Sequence, residues 1–161
     1  MIRFFGGRVM TLANGIETQD IEIWTEGSKI VFVGKPKAEE LDGKVFEREY
    51  DLKGNLLMPS FKNAHTHSAM TFLRSYADDM PLQDWLFKQI FPMEAKLDGE
   101  KVYWLTKLAI LEYLTTGCTA AFDMYFELDD YVKACIESGF RSVLCGAVSG
   151  DKSNLERLQK N

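Results

Sequence analysis

The chain has 161 residues, 46% of them hydrophobic and 12% aromatic, which suits a packed core and excludes a disordered chain. Its formal net charge of −5 leaves no basic surplus for a nucleic-acid partner. The N-terminus carries no apolar stretch of signal-peptide length, and no run approaches a membrane span. The three cysteines, Cys118, Cys135 and Cys145, form no CxxC pair. They read as reduced core thiols of a cytoplasmic protein.

The first part of the chain is patterned for short strands. Ile2–Phe5, Arg8–Leu12, Ile21–Trp24, Lys29–Val33 and Val45–Leu52 are strand-like. Gly6-Gly7, Asn14-Gly15, Glu26-Gly27 and Asp42-Gly43 separate them and supply turns. Residues 1–57 are therefore expected to form a small antiparallel β module, part of a β-sandwich.

After Pro59 the hydrophobic period changes, and residues 58–161 read as alternating helix and strand. Pro81 suits the first position of a helix that carries Leu82, Trp85, Leu86 and Ile90 at helical spacing. Asp98 is placed to cap the next helix, which ends at Gly117 and shows Val102, Leu105, Leu108 and Ala109 on one face. Thr119–Met124 is a short apolar strand, Leu128–Ser138 a helix closed by Gly139, and Arg141–Val148 a further strand. Ser153-Asn154-Leu155-Glu156 is a capping box. The pattern predicts βα units with parallel strands, as in a (β/α) barrel.

The only two histidines stand two apart, in Asn63-Ala64-His65-Thr66-His67. On an extended strand, positions i and i+2 share a face, so the two imidazoles make half of a metal site. The spacing alone favours two surface histidines in a loop. The apolar run Leu56-Leu57-Met58 before the pair suits a strand running into a polar loop, where parallel α/β enzymes place their chemistry, and Met70, Phe72 and Leu73 after it keep the segment apolar.

Leu57-Met58-Pro59-Ser60-Phe61-Lys62-Asn63-Ala64-His65-Thr66-His67 resembles the metal-binding start of the amidohydrolase superfamily. The likeness continues through Met70-Thr71-Phe72-Leu73-Arg74, Asp84-Trp85-Leu86, Phe91-Pro92-Met93-Glu94 and Phe122-Asp123-Met124-Tyr125-Phe126. Together these segments look like the methylthioadenosine/S-adenosylhomocysteine deaminase and chlorohydrolase branch.

The resemblance implies an α/β fold, the N-terminal third of a (β/α)8 TIM barrel preceded by part of a β-sandwich module. It implies that His65 and His67 bind a divalent metal, zinc first and iron second, which activates a water against a carbon bearing an amino or chloro group. It places Glu94 on the ribose hydroxyls of an adenosine-like substrate. Trp85 is a candidate apolar wall for the base, although its spacing points first to packing. Asp123 ends a strand, where it either orients a ligand or bonds loop backbone. Two departures stand out. Gly146 occupies the place of an arginine that holds the distal end of S-adenosylhomocysteine, which argues against a homocysteine-bearing substrate. Ser60 replaces a usual glycine.

The implied partners are a small-molecule substrate and further copies of the chain, with no nucleic acid and no membrane. A full barrel takes eight strands and roughly 250 residues, and the family's later histidines and its last aspartate have no counterpart after His67. The chain is therefore expected to be inactive by itself and to associate through an open strand edge. A chlorohydrolase or guanine-type deaminase would share the same opening segment. A non-catalytic piece of a split enzyme is the reading from another class.

Overall fold

A computed structural model describes residues 1–13 and 15–146. These fall into two compact units that divide between Pro59 and Ser60. The expected capping box at Ser153, the last two residues of the expected strand Arg141–Val148, and Asn14 of the Asn14-Gly15 turn lie outside the described residues.

The first unit contains β1 (Ile2–Phe5), β2 (Arg8–Thr11), β3 (Glu17–Gln19), β4 (Glu22–Glu26), β5 (Lys29–Gly34), the single turn α1 (Ala38–Leu41), β6 (Arg48–Asp51) and β7 (Leu56–Leu57). One sheet has the order β5-β4-β1-β6 and the other β3-β2-β7. The β4–β5 hairpin turns at Gly27, whose φ of 55° is the positive value that favours glycine. Val9, Ile23 and Trp24 are buried. Beside Trp24, Arg3 clamps Glu22 with two hydrogen bonds of 2.7 Å, and the Trp24 indole N–H donates to the same carboxylate at 2.9 Å.

The purely antiparallel module expected from the sequence is corrected here. β1 pairs β6 and β2 pairs β7 in parallel. Strands far apart in the chain make these pairs, and turn residues report only the pairing of neighbours. β3, α1 and β7 were also not legible as elements. They are two to four residues long, too short to show a period.

The second unit is built on β8 (Phe61–Thr66), β9 (Cys118–Tyr125) and β10 (Arg141–Gly146), all parallel, in the order β10-β9-β8. Sequential strands lie side by side, as at the start of a barrel sheet. A 3-10 segment, Ser68–Leu73, follows β8. Next come α2 (Leu82–Asp84), a π-helical stretch Trp85–Ile90, α3 (Phe91–Glu94) and α4 (Gly99–Thr115); α5 (Leu128–Ser138) joins β9 to β10. The Asp98 carboxylate accepts from Lys101 N–H at 3.0 Å and caps α4. Gly139 ends α5 with φ 64°.

β9 alternates strictly over its second half. Ala121, Asp123 and Tyr125 are buried, while Phe122 and Met124 are exposed. The buried face joins Val102 and Ile110 of α4, Tyr131 and Cys135 of α5, and Ala69.

Two expected apolar faces need correction. Leu82 is 64% exposed, in the α turn ahead of a stretch that does not keep an α period. Pro92 has no N–H for the ladder, and its ring crowds the carbonyl four residues back. The turn ahead of it widens, with the Phe91 N–H donating to Leu86 O five residues back. On α4, Leu108 is exposed, and Thr106 and Ile110 take the buried face with Val102 and Ala109.

Candidate metal and substrate site

The strand that carries the histidines is β8 itself, not the Leu56-Leu57-Met58 run, whose first two residues pair with β2 in the first unit. His65 lies at the C-terminal end of β8, and His67 follows the last strand residue. That end of a parallel sheet is where barrel enzymes place their chemistry. The two rings stand 5.0 Å apart, centroid to centroid.

His67 is held from β9. Its Nδ1 lies 2.8 Å from the Met124 carbonyl oxygen. A carbonyl only accepts, so Nδ1 carries the proton and the Nε2 lone pair is left for a metal. The residues on either side of His67 are fixed as well. The Tyr113 hydroxyl of α4 bonds Thr66 Oγ1 at 2.6 Å and Ser68 Oγ at 2.9 Å. Ser68 N–H donates to both Asp123 carboxylate oxygens, at 3.1 and 3.3 Å.

Asp123 is fully buried and meets loop backbone. It acts on the site by holding the residue next to His67. Tyr113 escaped the sequence reading, because its distance of 47 residues from Thr66 leaves no local signal.

Glu94 ends α3 and is half-buried. Its Oε1 accepts the Tyr125 hydroxyl at 2.9 Å. Burial pushes the Glu94 carboxyl above the ordinary carboxylate range, while the Tyr125 hydroxyl and the nearby His67 pull it down. Burial likewise raises the Tyr125 phenol, which keeps it a donor.

Trp85 lines a cleft of about 340 Å³ together with His67, Arg74, Glu112 and Tyr113. Arg74 closes that cleft with a two-pronged pair to Glu112, at 2.9 and 2.7 Å. The structure thus brings Trp85 and His67 to one cleft.

Gly146 pairs in register with Tyr125, and a Cβ there would meet Leu128 only at an ordinary 3.8 Å. Packing therefore does not demand a glycine at this place. Ser60 Oγ bonds Thr119 Oγ1 at 2.5 Å at the opposite end of the strands, away from the histidines.

The donor chemistry fits a divalent ion in part. Two neutral imidazoles suit Zn²⁺ or Fe²⁺. Among the described residues, no group of three or more His, Cys, Asp or Glu stands together to complete a site. No helix among them is long and apolar enough to cross a membrane.

The amidohydrolase family matches residues 56–161. A 5-methylthioadenosine/S-adenosylhomocysteine deaminase of Desulfitobacterium hafniense is 43% identical over 136 residues, covering 84% of this chain and 31% of the relative. A 5'-deoxyadenosine deaminase of Methanospirillum hungatei is 52% identical over 108 residues, covering 66% of this chain and 24% of the relative. The chain therefore spans about a quarter to a third of the length of these curated relatives.

Among solved structures, an adenosine deaminase of Xanthomonas campestris with bound zinc superimposes with a TM-score of 0.83 at 30% identity. The match covers 99% of this chain and 38% of that one. A guanine deaminase of C. acetobutylicum, 19% identical with a TM-score of 0.74, covers 88% of this chain and 35% of its own and shares the fold.

Proposed function

The chain belongs to the amidohydrolase family, and from that premise we propose that it carries the opening metal-binding strand of a hydrolase that deaminates an adenosine-like purine nucleoside. The observation that carries the reading is His67. Its ring stands beside His65 at the C-terminal end of a parallel strand, with Nδ1 tied to Met124 O and Nε2 left as a donor. Relatives named for deamination of 5'-modified adenosines support the substrate class.

His65 and His67 would hold a divalent ion, zinc before iron, as the zinc-bearing adenosine deaminase suggests. Such an ion, when bound, makes hydroxide available near neutral pH. The chain's own residues do the rest. Glu94 offers a carboxylate to the two ribose hydroxyls. Trp85 gives the cleft a flat apolar wall for the base. Tyr113 and Asp123 keep the His67 segment in place.

Glycine at position 146 leaves no cation there for an amino-acid tail, which favours nucleosides with a short 5' group. A catalytic site takes three protein ligands or more, and the described residues bring two imidazoles together, so we expect no turnover from these residues alone. Cytoplasmic location and association between copies belong to the same reading.

The test is ammonia release by the full-length enzyme from adenosine, 5'-deoxyadenosine and 5-methylthioadenosine, set against ammonia release from guanine and chloride release from a chlorinated triazine. Turnover of the three adenosines is expected. Turnover of guanine or dechlorination alone would replace this reading with another activity of the same fold.

A further inference from the structure

The end of β9 holds two groups of the site with two adjacent residues. The Met124 carbonyl accepts from His67, and the Tyr125 hydroxyl donates to Glu94, 31 residues earlier in the chain. We propose that Tyr125 is a positioning residue for substrate selection: its hydroxyl fixes Glu94 so that the remaining carboxylate lone pairs meet the 2',3'-diol of a riboside. The inference rests on the reading of Glu94 as the ribose-binding carboxylate.

Several features make Tyr125 suited to this task. It is 3% exposed, the last residue of its strand, and part of the buried cluster between sheet and helices. Its ring lies against Phe126 with centroids 4.4 Å apart. The phenol oxygen therefore stands at a place set by the sheet. Glu94 ends a four-residue helix and would otherwise turn about three torsions. One donor on Oε1 restricts it. Among the described residues, no other donor reaches this carboxylate.

The carboxylate keeps lone pairs enough for two hydroxyls. The two bonds from neighbouring backbone positions also set the spacing between His67 and Glu94. A riboside whose diol meets Glu94 is thereby placed relative to the metal-side imidazole, and a ligand without the diol gains nothing from Tyr125.

The test compares Tyr125→Phe, Glu94→Gln and the double variant in the full-length enzyme, on adenosine and on 2',3'-dideoxyadenosine. Calorimetric binding of inosine and 2',3'-dideoxyinosine gives a readout independent of turnover. Tyr125→Phe is expected to raise KM for adenosine and Kd for inosine by about tenfold. It should leave kcat and both dideoxy compounds unchanged, and add nothing in the Glu94→Gln background.

Equal losses on the diol and dideoxy compounds would mean a packing role only and overturn the proposal. A diol-selective loss in Glu94→Gln without one in Tyr125→Phe would overturn it and leave the Glu94 reading standing. Equal losses in Glu94→Gln would remove the Glu94 reading itself.

Discussion

His67 donates through Nδ1 to the carbonyl oxygen of Met124, 2.8 Å away and 57 residues later in the chain. The bond fixes which nitrogen faces a metal, and it joins the end of β8 to the end of β9. With His65 it supplies two imidazole donors. Calorimetry on the 161-residue chain should therefore show zinc that is weakly held and removed by a chelator. His65→Ala or His67→Ala should abolish the uptake. Stoichiometric zinc that survives the chelator would contradict this.

Tyr113 reaches both neighbours of His67, with bonds of 2.6 and 2.9 Å to Thr66 and Ser68. Tyr113→Phe keeps the ring and its stacking on Phe140 but removes both bonds. The half-buried Thr66 hydroxyl and the buried Ser68 hydroxyl then lose a partner, a loss of about 1–3 kcal/mol. Urea unfolding should register that loss, and zinc uptake should weaken in parallel. Unchanged stability would show that water replaces the phenol without cost.

Asp123 has no exposed surface and accepts the Ser68 N–H. Asp123→Ala should cost about 1.5–3 kcal/mol, the range for a hydrogen bond to a charged group. Asp123→Asn keeps one carbonyl acceptor and should cost less. Equal unfolding midpoints for the two variants would mean that the acceptor does not matter.

Arg3 holds the Glu22 carboxyl below its ordinary value of 4.5. A carboxyl depressed in the folded state stabilises it above the unfolded value, and that contribution is lost as the pH falls through the folded value. The unfolding midpoint should therefore drop as the pH is lowered below about 4.5. Glu22→Gln should start lower at neutral pH and depend less on pH in the acid range. Parallel pH profiles for the two proteins would assign acid sensitivity to other groups.

Much of the second unit was legible before any coordinates. Asp98, Gly117 and Gly139 mark helix ends because caps and left-handed closures are local chemistry, set within a few residues. The helix through Trp85 was legible as a helix, but its faces were not. Pro92 changes the ladder after Trp85 and so the period on which the reading depended, and Leu82, ahead of that stretch, stands in solvent. In the first unit the hairpin at Gly27 follows from its turn, whereas the parallel pairs β1–β6 and β2–β7 join segments that no turn connects.

The sequence by itself determined two imidazoles two residues apart near a strand end, the change from strand to βα patterning near Pro59, and the family likeness carried by the ordered segments from Leu57 to Phe126. Only the tertiary structure decided how the His67 segment and Glu94 are held. The Met124 carbonyl, the Tyr113 hydroxyl, the Asp123 carboxylate and the Tyr125–Glu94 bond reach across 31 to 57 residues of chain. The physical reason is range. Residue type and spacing fix what a segment can do within a turn or a strand, while the partner of a buried polar atom is chosen by how parallel strands and their covering helices pack.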